Sequence, residues 1–227
     1  LISSYAPPSK TGLGKLLVRG SLSEFLGFGA GHAVRLGSNL VLSRWLFPEA
    51  FGLSALVNIM NQGLMLLSDV GLATVIVQSK RGDEPRFLNT AFTWQAVRGI
   101  VLFLCALALT VPFAKLYGEP ELLSLVPVGA SVVLLLGVRS TGIFTLRRKL
   151  DVTPLNLLEL SGQVAAVAVM IAWAAYKPSV WTLVGGMVVS TIVVVTLSHR
   201  LPGTIRNRFE WDRECAQELF QKGKWLA

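Results

Sequence analysis

The chain has 227 residues, of which 52% are hydrophobic and only 15% are charged, and its mean hydropathy is +0.59. Soluble domains carry about 25% charged residues, so this composition excludes an ordinary soluble domain and indicates a membrane protein. A formal net charge of +8 would suggest nucleic-acid binding in a soluble protein. Here the basic residues lie mostly in short segments between apolar runs, and we predict no nucleic-acid partner.

Apolar runs long enough to cross a membrane recur along the chain. A hydrocarbon core of about 30 Å requires roughly 20 apolar residues per helix. The runs cover residues 25–47, 51–78, 90–116, 122–146, 155–176 and 180–197. Pro127 lies inside the fourth run, where we expect a kink. The sequence therefore predicts an all-α, polytopic membrane helix bundle of about six transmembrane helices within residues 22–203.

Basic residues are unevenly divided between the two sets of loops. Of the 21 Lys and Arg residues, fifteen lie before the first run or after the second, fourth and sixth, and three (Arg44, Lys115 and Lys177) lie in the alternate loops or at the span ends beside them. Because loops rich in Lys and Arg are retained in the cytoplasm, we predict that both ends of the chain, residues 1–21 and 204–227, are cytoplasmic. The second of these mixes charged and aromatic residues, which predicts an amphipathic segment at the membrane surface; a solvated connector is the alternative.

Ionisable residues inside the runs need an explanation, because a charge at the bilayer centre costs roughly 2.5 kcal/mol or more. His32, Arg35 and Asn39 share one face of the first predicted span. Arg98 and Arg139 lie inside the third and fourth. Arginine binds phosphate through two parallel hydrogen bonds, so a surplus of arginines over acids predicts a hydrated cavity for an anion. These five are the candidate substrate-binding residues.

Ion pairs within the bundle are the alternative explanation for the same residues. Asp69 and Glu159 are the acids inside the spans, and Arg35 would pair with Asp69 and Arg139 with Glu159. We therefore assign Asp69 and Glu159 an ion-coupling or structural role. The sequence contains no GxxxxGK[ST], HExxH, CxxC or GxSxG motif. We expect no catalytic residues, no cofactor and no metal.

Several stretches resemble a known family. GSNLVLSRWLFPEAFGLSALV contains a Leu-Phe-Pro-Glu turn before Phe51 and Gly52, and LLSDVGLATVIVQS contains Asp69, Gly71 and a terminal Gln78. FLNTAFTWQAVRGI and GIFTLRRKLDVTPLN fit the same pattern. Between about residues 22 and 212 the chain resembles bacterial polysaccharide and oligosaccharide-lipid flippases of the multidrug/oligosaccharidyl-lipid/polysaccharide exporter superfamily.

This resemblance implies two six-helix lobes around an inward-facing cationic cavity. Such proteins move polyprenyl-diphosphate-linked glycans across the bacterial inner membrane by alternating access, for O-antigen or exopolysaccharide assembly. The chain would be the N-terminal lobe, and residues 204–227 would lead toward a second lobe. The implied partners are the lipid-linked glycan, membrane lipids, that second lobe, and a polysaccharide polymerase with chain-length proteins. A cation-coupled small-molecule or multidrug exporter and a membrane glycan polymerase or ligase are the alternatives.

Overall fold

A computed structural model describes residues 29, 31–68, 71–79, 81–149, 152–201 and 207–226. All regular secondary structure within these residues is helical, which confirms the predicted all-α bundle. The helices are α1 (31–42), α2 (Pro48–Leu67), α3 (Leu72–Gln78), α4 (Pro85–Tyr117), α5 (Leu122–Gly137), α6 (Gly142–Arg148), α7 (Thr153–Tyr176), α8 (Val180–Ser198) and α9 (Arg213–Leu226).

Four of the described helices, α2, α4, α7 and α8, are long and apolar enough to cross a membrane. The pair α5 and α6 meets the same criterion, although the axis bends by 62° between them. The chain is thus a multi-pass membrane protein. The last two predicted spans agree with α7 and α8 to within two residues at each end. The first predicted span extends into residues outside the described part of the chain.

The predicted second span is wrong as a single helix. The sequence predicts one helix over residues 51–78, whereas α2 ends at Leu67 and α3 begins at Leu72. Gly71 precedes α3 with a φ of 61°. Glycine adopts this left-handed conformation readily because it has no Cβ. Residues of α3 such as Val75 and Ile76 are apolar because protein buries them. The apolar run therefore continues past the end of α2, and hydropathy does not reveal the break.

The predicted fourth span is divided into α5 and α6. Helix α5 continues through Pro127, and the axis bends by 62° between α5 and α6, over residues 138–141. A kink at Pro127 stays a prediction. At the bend, the backbone N–H of Ser140 donates to Ser198 Oγ and that of Thr141 donates to Asn207 Oδ1. These N–H groups therefore bond to side chains distant in sequence instead of carbonyl groups one turn back along α5.

Helix α5 lies at the centre of the bundle and packs against α2, α4 and α8. Leu125, Val126 and Val133 of α5 are buried in the largest apolar cluster. At the crossing of α4 and α5, a Cβ placed on Gly99 would come within 2.9 Å of Gly137 Cα. The two backbones are therefore in direct contact, which positions the polar residues of α4 against the end of α5.

The loops that the charge pattern assigned to the same side of the membrane lie at the same end of the bundle. Phe47, Glu121 and Lys177, from three different loop regions, line one pocket at one end. At the other end, Arg148 lies 3.8 Å from Asp83 and donates to the Ser79 carbonyl oxygen across 2.6 Å. The assignment of these loops to two opposite ends is confirmed. Which end faces the cytoplasm stays a prediction.

The tail after α8 is a folded part of the bundle end. Helix α9 packs on α3 and α4, and its Cys215 and Leu219 are buried in a cluster with Ile76 and Phe87. Trp211, which precedes α9, stacks on Trp94 of α4 with ring centroids 5.9 Å apart. Protein therefore covers Cys215 and Leu219 of α9, which favours a packed segment over a solvated connector. A position at the membrane surface stays a prediction.

Candidate functional site

A cavity of about 200 Å³ lies where α2 and α5 end. Arg98 and Arg139 both line it, so the structure brings together two of the five predicted substrate-binding residues. The cavity also contacts Gln95, which the sequence analysis missed. The remaining lining residues are apolar or glycine: Met65, Leu72, Ala73, Gly99, Leu102, Val133, Leu136, Gly137 and Phe144.

The side chain of Arg98, on α4, forms hydrogen bonds with the C-terminal end of α2. Its Nε donates to Ser68 Oγ across 3.0 Å and its Nη2 donates to the Met65 carbonyl oxygen across 2.9 Å. The last carbonyl groups of a helix have no partner within the helix, and a cation is favoured there. Arg98 therefore has a structural role as well as its place in the cavity wall.

Gln95 binds the end of α5 in the same manner. Its Nε2 donates to the carbonyl oxygens of Leu136 and Arg139, across 2.8 and 3.2 Å. Gln95 and Arg98 are one turn apart, so a single face of α4 binds the C-terminal ends of both α2 and α5. The only feature of the sequence that could have identified Gln95 is its polar amide within an apolar run, three residues before Arg98.

Arg139, in the bend between α5 and α6, forms the predicted ion pair. Its Nη2 lies 2.8 Å from Glu159 Oε1 of α7, which confirms this half of the ion-pair alternative. The Nε of Arg139 is buried and has no hydrogen-bond partner within the described part of the chain. The Glu159 side chain is 60% exposed. Arg139 thus has one nitrogen in a salt bridge and another donor that lacks an acceptor.

The other three candidates lie apart from the cavity. His32, Arg35 and Asn39 are exposed on α1, which α7 holds through a 2.7 Å hydrogen bond from Gln163 Nε2 to the Gly31 carbonyl oxygen. The structure therefore divides the predicted set between an exposed face of α1 and a cavity inside the bundle. Asp69 lies outside the described residues, and its pairing with Arg35 stays a prediction.

Charged side chains fix α9 at the bundle end. A hydrogen bond from Lys222 lowers the pKa of the Glu218 carboxyl, and a second from Ser79 acts in the same direction. The backbone N–H of Cys215 donates to Asp212 Oδ1 across 3.1 Å and holds the pKa of Asp212 below its usual value. Burial raises the pKa of the Cys215 thiol. The helix is thus capped at its start and tied to α3 in its middle.

A family model described as polysaccharide biosynthesis protein matches residues 41–227. No curated protein and no solved structure matches the chain. The matched range begins at the end of α1 and includes every later helix. Arg98, Arg139 and Glu159 lie within it, whereas Arg35 and its neighbours on α1 lie before it.

Proposed function

Because the chain belongs to the polysaccharide biosynthesis protein family, we propose that it forms one lobe of a transporter that flips a polyprenyl-diphosphate-linked oligosaccharide across the bacterial inner membrane. Membership in this family and the multi-pass bundle support a role in polysaccharide biosynthesis or export. The lipid-linked substrate, the flipping step, the second lobe and the absence of catalysis are parts of the proposal.

The observation that carries the proposal is the exposed polar face of α1. Arg35 is exposed on this face together with His32 and Asn39, within a predicted span that α7 holds at Gly31. An arginine in a membrane span is costly unless it faces protein, water or an anion. A hydrated cavity between this face and a second lobe meets that requirement, and a guanidinium group binds a diphosphate through charge-assisted hydrogen bonds.

The test uses the full-length transporter that contains this chain, expressed in a strain that lacks it. Membrane abundance and glycan export are measured for Arg35→Ala and Arg35→Lys. A charge-assisted contact is worth about 1.5–3 kcal/mol, so Arg35→Ala should weaken substrate binding about ten- to a hundredfold at normal abundance. Arg35→Lys keeps the positive charge but lacks the planar guanidinium group, and the transporter with this change should export glycan at an intermediate rate.

Arg44 supplies the matched control, because it is exposed in the turn after α1. Arg44→Ala should leave export unchanged. If Arg35 instead pairs with Asp69, Arg35→Ala should lower the protein level, and the added change Asp69→Asn should restore both level and export. That result would refute a role for Arg35 in substrate binding.

A further inference from the structure

We propose that the tail after α8 anchors the chain in the interfacial layer of a phospholipid bilayer through three aromatic side chains. These residues, Phe209, Trp211 and Phe220, form a surface that we call the aromatic patch. Its partner is the boundary between the lipid headgroups and the acyl chains, and no particular headgroup is required. The inference does not rest on glycan flipping, because a membrane anchor is compatible with any activity of the chain.

The aromatic patch is exposed although its rings are held on α4. Phe209 is 71% exposed, and Trp211 and Phe220 are each 52% exposed. The ring centroid of Phe209 lies 5.2 Å from that of Phe92, and those of Trp211 and Phe220 lie 5.9 and 6.2 Å from that of Trp94. Contiguous exposed apolar surface of this kind marks an interaction site.

The aromatic patch continues a lipid-facing stripe of α4. Val97, Val101 and Leu104 lie three, seven and ten residues after Trp94, a spacing that keeps all four on one side of the helix. The first three are each more than half exposed on a helix long and apolar enough to cross a membrane. The tail covers this stripe at Trp94, about 4.5 Å along the helix axis from Val97. The patch therefore lies at the end of the apolar stripe.

The length of α4 indicates the depth of the patch in the bilayer. The helix has 33 residues, which gives about 50 Å at 1.5 Å per residue, whereas the hydrocarbon core is about 30 Å thick. The segment from Val97 to Tyr117 alone covers roughly 30 Å. When this segment spans the core, Trp94 and the aromatic patch lie in the headgroup layer, where aromatic side chains are enriched in membrane proteins.

The order of the helices favours lipid over a second lobe as the partner of this surface. Helix α4 packs against α5, α5 against α8, and α8 against α7. Helix α7 in turn holds α1 through the hydrogen bond from Gln163 to Gly31. The face of α1 that we assign to a second lobe is therefore separated from α4 by α5 and α8.

The charges of the tail favour the aromatic rings as the source of binding. Residues 207–222 include three Lys and Arg residues and four Asp and Glu residues. One of the basic side chains, Lys222, is paired with Glu218 across 2.6 Å. Attraction to anionic lipid requires a clustered excess of positive charge, which this segment lacks. We therefore expect the anchor to bind a bilayer without anionic lipid.

The experiment measures the depth of single nitroxide spin labels on the protein in nanodiscs of phosphatidylcholine, in a background without Cys105 and Cys215. Collisions with oxygen, which concentrates in lipid, and with a nickel chelate, which stays in water, are compared by electron paramagnetic resonance. The labels are attached at Arg213→Cys and Phe220→Cys. These positions are exposed and lie two turns apart on the same side of α9. Their ratio of oxygen to nickel collisions should be several-fold above that of a water-exposed label.

The matched controls are Glu214→Cys and Gln221→Cys. Each position is exposed and follows one of the test positions by a single residue, which turns the label by about 100° around the helix. Both controls should give the ratio of a water-exposed label. Arg213→Cys retains all three rings of the aromatic patch, so it decides the result if Phe220→Cys loosens the tail.

A higher ratio at positions 213 and 220 than at 214 and 221 in phosphatidylcholine supports the proposal. Equal ratios at the four positions overturn it and would leave the aromatic patch to a protein partner. A difference that appears only after phosphatidylglycerol is added also overturns it, because charged side chains would then hold the tail on the membrane.

Discussion

Arg98 donates a hydrogen bond from Nη2 to the carbonyl oxygen of Met65 across 2.9 Å, so a side chain of α4 completes the last turn of α2. Gln95 does the same for α5 through the Leu136 carbonyl oxygen, at 2.8 Å. Backbone groups freed by a break in a membrane helix must find partners within the protein. Because one helix supplies both partners, the two breaks lie side by side and enclose the cavity.

The first prediction concerns Gln95. Gln95→Leu keeps the bulk of the side chain but leaves the carbonyl groups of Leu136 and Arg139 without their donor. The loss should lower the free energy of unfolding in detergent by about 1–2 kcal/mol. Gln62→Leu is the matched control, because Gln62 is exposed and its amide donates to Asn58 in the same helix. Equal effects of the two changes would show that the hydrogen bonds from Gln95 to the end of α5 contribute nothing to stability.

The second prediction concerns the crossing of α4 and α5. The Cβ of Gly99→Ala would lie 2.9 Å from Gly137 Cα, which is backbone and cannot move aside. Overpacking of this kind typically costs about 1–3 kcal/mol, and the unfolding midpoint should fall. Gly63→Ala, in α2, meets no atom within 4 Å and should be neutral or stabilising, because alanine has the higher helix propensity. A stable Gly99→Ala protein would contradict the observed close contact.

Sequence reasoning predicted the outer ends of the spans well. The helices α7 and α8 are apolar runs separated by Lys177, Pro178 and Ser179, and a charge next to a proline favours the end of a membrane span there. The pair of Arg139 with Glu159 was also predictable as an alternative, because few acids lie inside the spans. These features depend on residue type within one segment or on a small number of possible partners.

The breaks and the cavity were not predictable in this way. The short helix α3 is as apolar as a membrane span, but Cys215 and Leu219 of α9 cover it instead of lipid. Hydropathy does not distinguish these two surroundings. The bend before α6 is stabilised by backbone N–H groups that donate to Ser198 and Asn207, which are about 60 residues away in sequence. Sequence reasoning therefore could not show that Arg98 and Arg139 line a cavity whereas Arg35 lies on the exposed face of α1.

The third prediction is the orientation in the membrane. Single cysteines replace Glu119, in the loop between α4 and α5, and Lys149, exposed after α6, in a background without Cys105 and Cys215. The surplus of basic residues predicts that Lys149 lies in the cytoplasm. An impermeant maleimide applied to intact spheroplasts should therefore label position 119 and not position 149. Labelling at 149 alone would reverse the assigned orientation.

The last prediction concerns how the tail is held on the bundle. Asn89 of α4 is buried; its Nδ2 donates to Glu210 Oε2 across 2.9 Å, and its Oδ1 accepts from the Arg208 backbone N–H across 3.1 Å. Asn89→Ala removes both bonds and should loosen the segment that leads into α9. Cys215 of α9 is fully buried, and burial raises the pKa of its thiol, so the rate of its reaction with a maleimide reports this loosening.

The measurement is the rate of Cys215 labelling at pH 7.5 in a Cys105→Ala background, since Cys105 is exposed. Loss of about 1–2 kcal/mol of local stability should raise the rate roughly 5- to 30-fold. Asn58→Ala is the matched control, because Asn58 is exposed on α2 and its side-chain oxygen accepts from Gln62 of the same helix. It should leave the rate unchanged. If Asn89→Ala also leaves it unchanged, contacts other than these hydrogen bonds hold the tail, with the buried packing of Leu219 against α3 as the next to test.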